Sequence, residues 1–499
     1  MDTLDAIVRS YVAAHQPVTQ EVSAVLSVSE GQLPAELRGV LFRNGPGRFS
    51  NHGQTYGHLI DGDGMVTRFA IGSSGPDGTP CIRYRNCYVR TTEFVYEQRA
   101  GRLLYRNFGT NRAGGFFGNL FRTHLKNVAN TSVIYHHGRL FALWEGGLPH
   151  LLDPVTLDTI ERYDFFGALK NRGPLLERVL LPELPFSAHP KVDPQTGELY
   201  NFGLYLGPNP KILLYAIRSG VALTVTREIP LPLPLLAHDF LLTKNWQILF
   251  LFPASLRYLP TLMGRPPSAS VQEVAGGMTR ILLVPRDGGP VRQYQAEPCF
   301  VLHFVNAYED ENGHLVVDAC RQEHFPDAPR PGELLAGHIS DIPHVQLTRY
   351  VIDPRAEEES LVREQSLGGF SSELPRIHPA YQGLPYRYAY TVSATPDAPH
   401  GLFSAIARID HHSDDTKLRD FAPGIPGEPV MVPRPDSVSE DDGWILTVVY
   451  HGSEHRSALY ILDARDLSTV CVAELPHHVP PGFHGTFVPS AACPPGWNS

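Results

Sequence analysis

Four histidines share a setting that could do metal chemistry. His189 lies in FSAHPKVDP, His238 in LLAHDFLLT, His303 in VLHFVNAYED and His484 in GFHGTFVP, each at a strand start or turn among apolar, Pro or Gly residues. A neutral imidazole in such a place is either a hydrogen-bonded core group or a metal ligand, and for one histidine alone the core group is commoner. Four alike, in a chain that brings distant strands to one axis, can converge on a cation. Four imidazoles carry no charge to offset that cation. Carboxylates behind the rings, accepting from the outer N–H groups, would orient them and supply negative charge. Glu145 in FALWEGGLP, Glu373 in FSSELPRIHP and Glu428 in PGIPGEPVMVP are acids in apolar, Pro/Gly-rich surroundings. Acids are rarely buried there without a partner. Any one of the three could instead be a surface turn. The paired His136/His137, His411/His412 and His477/His478 sit in polar stretches, and solvation is expected for them.

The elements that would position such a cluster are strands. SVIYHHGRLFALWE, PKILLYAIR, WQILFLFP, TRILLVP, FVLHFVNAYE, LTRYVID and WILTVVYH are short, apolar or alternating, and bounded by turn residues. Helical patterning is confined to Leu4–Ala14 and to pieces near 116–126 and 255–264. A strand–turn–strand unit recurs at Asp153, Arg218, Asp287, Asp353 and Asp463, at intervals of 65, 69, 66 and 110 residues. Stacked equivalent units fit a propeller of four-stranded blades, whose inner strands all face one axis. The intervals exceed the ~40–50 residues of common propeller repeats, so the surplus is expected as loops gathered over one face. Two β-sandwiches in tandem are the alternative. With no linker to divide them, one domain over 1–499 is expected, led by a short helical segment at 1–20.

Composition narrows the function. The formal charge is −10, with no basic run, which argues against nucleic-acid binding. No apolar run reaches the ~18 residues needed to span a bilayer, and the N-terminal stretch lacks the pattern of a secretory leader. A cytoplasmic protein is expected. The six cysteines are scattered, with no C-x-x-C, and read as reduced thiols. Without a leader, the sequon at Asn130 carries no expectation.

Taken in order, GVLFRNGPGRF, YGHLIDGDGMV, LKNVANTSV, the four histidine segments and the three glutamate segments run over nearly the whole chain. This collinear set resembles the carotenoid cleavage oxygenase family, with the bacterial apocarotenoid oxygenases the nearest branch. The resemblance implies a seven-bladed β-propeller with long loops and short helices capping one face, and non-haem Fe(II) on its axis. Carried over motif by motif, His189, His238, His303 and His484 match the iron ligands. Glu145, Glu373 and Glu428 match the carboxylates behind them, and Thr131 matches a residue beside the open coordination positions. The implied reaction splits a C=C bond of a polyene such as an apocarotenoid with O2 into two carbonyls. The alkene supplies all the electrons, which agrees with the lack of a dinucleotide fingerprint or a haem-attachment motif; NGPG at 44–47 reads only as a Gly-rich turn.

A polyene partitions into membranes, so an apolar mouth with peripheral membrane contact is expected. GGFFGNLF (114–121), LLERVLLPELPF (175–186), LPLPLLA (231–237) and YLPTLMG (258–264) are candidates for it, although an apolar run does not reveal its own exposure. By residue type, Phe69, Phe116, Trp144 and Phe304 are candidates for a tunnel wall, and Leu236 joins them because LPLPLLA directly precedes His238. Stilbene cleavage within the same family is the main rival. Its members carry a lysine just before the first glutamate, where this chain has Trp144, and an apolar residue there favours a hydrocarbon over a phenol. Isomerisation of a retinoid ester, a propeller scaffold without chemistry and a serine hydrolase are further alternatives. The last lacks a G-x-S-x-G elbow.

Overall fold

Blade interiors follow from the apolar strands. In Trp246–Leu256 nearly every residue is buried, because both faces of the sheet are covered by neighbouring sheets. Phe250, Ile281 and Leu283 pack on Phe300, Leu315 and Tyr350 of the next sheet, while Leu249, Leu251 and Leu282 pack on Phe202, Ile212 and Leu214 of the previous one. Outermost strands behave differently. Thr224–Pro230 alternates exposed and half-buried residues, and Arg363–Ser366 is fully exposed. Radial stacking of sheets produces this gradient from an apolar inner edge to a polar rim.

The computed structural model describes residues 3–75, 78–325, 331–337, 344–396, 402–413, 415–494 and 496–497. Five separate antiparallel sheets of four to six strands follow one another around the ring, starting at Ser132, Lys191, Leu235, Phe300 and Ser372. Of the other described strands, Ser50–Asn51 and Gln54–Thr55 form a two-stranded hairpin, and the rest form one continuous ten-stranded sheet. The all-β propeller is therefore present, but the expected seven separate blades are not: five are discrete. The cause is strand Ser23–Gly31. One part of it pairs with Pro80–Tyr88 (Leu26 opposite Ile82) and another with Thr469–Glu474 (Gly31 opposite Cys471), which welds the sheet's two halves together. Gly31 has φ +71°, and a Cβ there would lie 2.0 Å from the Val470 carbonyl oxygen, so only glycine fits that weld. At its far end the same sheet joins Gly39–Arg48 to Gly485–Pro489, Arg43 opposite Gly485.

The repeated turn has a physical basis. At Asp153, Asp287, Asp353 and Asp463 the carboxylate accepts from a backbone N–H two residues on, the Asx turn that makes aspartate favourable between strands. Asp410 does the same with His412, so the 110-residue interval contained one further hairpin of the kind.

Helix α1 spans Thr3–Ala14. Helices α2 (Thr92–Ala100), α3 (Gly115–Asn119), α4 (Leu175–Leu180) and α5 (Tyr258–Leu262) are inserted between strands. Thr91 caps α2 through Phe94 N–H, and Gly101 ends it at φ +63°. Phe121 N–H donates to Leu262 O, Tyr258 Oη–H to Gly207 O, and Tyr205 and Asn209 to Glu177 of α4. These bonds join α3, α4 and α5 into one belt. All six cysteines are free. His136 and His478, expected in solvent, are instead buried and bonded to Gly197 O and Gln16 O.

Candidate metal centre

Thr131, His189, His238, His303, Glu373, Glu428 and His484 each stand within or just before a strand at the inner edge of a sheet: Ser132–His136, Lys191–Val192, Phe240–Leu242, Phe300–Glu309, Ser372–Arg376, Val430–Pro433 and Gly485–Pro489. Inner edges converge, and the four imidazoles meet. Nε2 of His189 is 3.0 Å from Nε2 of His238, and Nε2 of His303 is 3.0 Å from Nε2 of His484. Ring centres of His189 and His484 are 4.8 Å apart, and those of His238 and His303 5.3 Å.

The three glutamates lie behind these rings. His303 Nδ1 is 2.5 Å from Glu373 Oε2 and His484 Nδ1 is 2.8 Å from Glu428 Oε1. Glu145 Oε1 lies 3.1 Å from His238 Nδ1, off the line of a well-formed hydrogen bond, and 3.6 Å from His189 Nε2. A ring donating Nδ1–H to a carboxylate presents a bare lone pair at Nε2. His303 and His484 are both in that state, so their facing nitrogens at 3.0 Å are two acceptors without a proton between them. A cation among the rings would turn this repulsion into coordination. The residues fit such an ion, and an all-nitrogen donor set suits a first-row divalent metal better than calcium or magnesium.

Electrostatics favour the neutral ring at His189 and His484 and the charged one at His238. Burial, reinforced by His238, His484, His303 and Lys191, holds the His189 pKa far below its ordinary value. Burial brings His484 down to about 4, against the opposing pull of Glu428. At His238 burial also disfavours the charged form, but Glu145, Asp239 and Glu373 outweigh it and the pKa ends above normal. Burial would raise Glu428, yet Arg376, Arg43 and His484 together hold it well below the usual carboxylate range.

Several residues of this centre escaped the sequence reading. Arg43 donates to Glu428 Oε2 at 2.6 Å, and Arg376 donates to Oε1 at 2.9 Å and Oε2 at 3.2 Å. Asn44 is a knot: its N–H donates to His484 O, and its side chain to Ala129 O and Ser132 O. His484 N–H in turn donates to Thr131 O, which sets Thr131 against the fourth histidine. NGPG is therefore not a turn but part of strand Gly39–Arg48. Gly45 passes so close to Gly482 that a Cβ would meet it at 2.5 Å. No composition or spacing signal distinguishes Arg43 or Asn44 from ordinary strand residues.

The family model for retinal pigment epithelial membrane protein, RPE65, matches residues 15–489. An apocarotenoid-15,15'-oxygenase of Synechocystis is 35% identical, with 96% of each chain covered. The chain belongs to the RPE65/carotenoid oxygenase family. A resveratrol cleavage oxygenase of Aspergillus fumigatus is 30% identical, over 92% of this chain and 91% of the relative. The crystal structure of cobalt-substituted Synechocystis ACO superposes with a TM-score of 0.88 at 34% identity, covering 97% of this chain and 99% of that one.

In this carotenoid oxygenase fold the suggested tunnel residues separate. Trp144 is half-buried beside Glu145, its ring against Gly146 and Gly147. Leu236 is half-buried in a strand paired to Phe252, and Phe116 is exposed on α3. Phe69 faces no channel: it is fully buried inside the ten-stranded sheet's core, 5.2 Å from Tyr84. Phe304 stacks edge-on against Phe250 and lines a cavity of about 580 Å³. Pro190, Leu242, Ile377 and Thr486 also line it. These residues follow the histidines and Glu373 along the inner strands, so the cavity lies beyond the imidazoles on the axis. On the surface, Phe117, Phe121, Leu175, Leu176, Val179 and Leu259 of the helical belt are all strongly exposed, Phe117 by 86%. No helix among the described residues is long and apolar enough to cross a membrane.

Proposed function

We propose that the chain is a non-haem Fe(II) dioxygenase that splits a C=C bond of an apocarotenoid-type polyene with O2 into two aldehydes. The observation that carries this reading is the gathering of one ring nitrogen each from His189, His303 and His484 within 4.8 Å of one another, with His238 Nε2 3.0 Å from that of His189, and three of the rings facing carboxylates at Nδ1. His189, His238, His303 and His484 would hold the metal, and Glu145, Glu373 and Glu428 would fix the Nδ1–H tautomer of three of them. Fe(II), when bound, lets ground-state O2 react with a closed-shell alkene. Thr131, whose carbonyl accepts from His484 N–H, would hold that histidine's backbone in place. The half-buried Trp144, next to Glu145, and Leu236, two residues before His238, would offer the polyene an apolar surface. Both oxygen atoms enter the products and both alkene carbons become carbonyls, so no external reductant is needed.

The exposed belt of α3, α4 and α5 would dip into a bilayer and collect the polyene there. Contiguous exposed apolar groups of this kind mark an interaction surface. Trp144 supports a hydrocarbon chain over the phenol of a stilbene, and the chain would work as one domain. Anaerobic reconstitution with Fe(II), followed by mass spectrometry of products from a panel of apocarotenals and hydroxystilbenes, tests the proposal. Two aldehydes from an apocarotenal are expected. Cleavage of stilbenes alone, an isomerised alcohol, or protein that takes up no stoichiometric iron would each overturn it.

A further inference from the structure

One buried carboxylate ties three of the four histidine segments together. Asp239 follows His238 directly and is 2% exposed. Its Oδ1 accepts from Phe240 N–H at 2.7 Å and from Lys191 Nζ at 2.8 Å, and its Oδ2 from Phe304 N–H at 3.3 Å. Lys191 stands two residues after His189, and Phe304 immediately follows His303. The three segments belong to three different sheets, and ladder hydrogen bonds stop at a sheet's edge. Packing alone tolerates small slides between sheets, whereas a metal site does not: loss of its outer supports typically costs ~10–100-fold in affinity. His484 hangs from a separate node made of Glu428, Arg43, Asn44 and Thr131.

We infer that Asp239 is a positioning residue, which sets the spacing of the His189, His238 and His303 rings without touching the metal. The inference rests on the metal centre proposed above. Asp239→Asn keeps the shape but not the acceptors: whichever way the amide turns, its NH2 opposes either Phe304 N–H or the Lys191 ammonium, so one link is lost. Lys191→Met cuts only the link to the His189 segment.

The test measures Fe(II) affinity by anaerobic competition with a chromophoric chelator, and the visible absorption of the Co(II)-loaded protein, which reports coordination geometry. Asp239→Asn is expected to weaken Fe(II) binding by ~10–100-fold and to shift the cobalt bands. Its KM for substrate at saturating iron should be unchanged. Lys191→Met should give a smaller loss in the same direction, and the double variant should lose less than the two single losses combined, because the two side chains are in contact. If Asp239→Asn does not fold, Lys191→Met decides. Parental Fe(II) affinity and cobalt spectra in the folded variants would overturn the inference. His238→Ala separates the two levels: if it too keeps full iron affinity, the metal centre itself is wrong, whereas its loss of iron beside unaffected Asp239 and Lys191 variants sinks only the role of Asp239.

Discussion

Glu428→Gln should destabilise the protein far more than Glu373→Gln, although both glutamates serve a histidine. Glu428 is 1% exposed and takes two arginines, the Gly485 N–H and the His484 ring. Glu373 takes the His303 ring and its neighbour's N–H, with no cation. A glutamine at 428 strands the buried Arg43 beside Arg376 and sets an amide NH2 against donors. Removing one partner of a buried pair costs ~3–5 kcal/mol. With an unfolding entropy of ~2.1 cal/mol/K per residue, a chain of 499 residues has ~1 kcal/mol/K in all, so the melting midpoint should drop by ~3–5 °C. Glu373→Gln should instead leave the apo-protein's midpoint within ~1 °C by the same conversion and cost ~10–100-fold in iron affinity. Calorimetry of metal-free protein, beside chelator competition for Fe(II), reads both quantities. Equal midpoints for the two variants would refute the idea that Glu428 is first an ion-pair hub and only second a support for His484.

Other outcomes follow from the same geometry. His238→Ala should abolish cleavage and leave the purified protein with little iron by metal analysis. Glu145→Gln, whose contact with His238 is already off-line, should reduce iron affinity and turnover by no more than ~10–100-fold, measured by titration and product formation. The Glu428 pKa is depressed in the fold from its usual 4.5. Its contribution is therefore fully present above about pH 4.5 and lost as the pH falls below that value, so the acid limb of melting temperature against pH should be flatter in Glu428→Gln. Phe117→Ser with Leu259→Ser removes two exposed side chains worth ~1.5–3 kcal/mol each when buried. Binding to phosphatidylcholine vesicles should fall by ~100-fold or more in co-sedimentation, with activity on detergent-dispersed substrate retained.

What the sequence revealed and what it hid differ in kind. The four histidines and three glutamates were legible because a titratable group in a Pro/Gly-rich apolar setting is locally anomalous. The hairpins at Asp153, Asp287, Asp353 and Asp463 were legible because an Asx turn lies within three residues of its aspartate. Asp410 was overlooked only because its flanking strands were not matched to the pattern. Helix α2 carried an unread signal, a Thr91 cap and Gly101 stop. Arg43 and Asp239 could not be read this way. Arg43 meets Glu428 across 385 residues, and neither sequence neighbourhood records the other. The welded sheet was hidden for the same reason: Ser23–Gly31 draws one partner from near residue 85 and the other from near 472, so its edges are settled by tertiary closure.

That closure bears on when the four imidazoles come together. Strand Gly485–Pro489, which directly follows His484, pairs with Gly39–Arg48, so an N-terminal segment waits through most of translation for its mate. Three imidazoles can be assembled while the ribosome still holds residue 484. A site with three nitrogens is more open and less selective than the finished one, and its final donor arrives only with ring closure. Selectivity for a metal would therefore be a property of the closed ring and not of the open chain that precedes it.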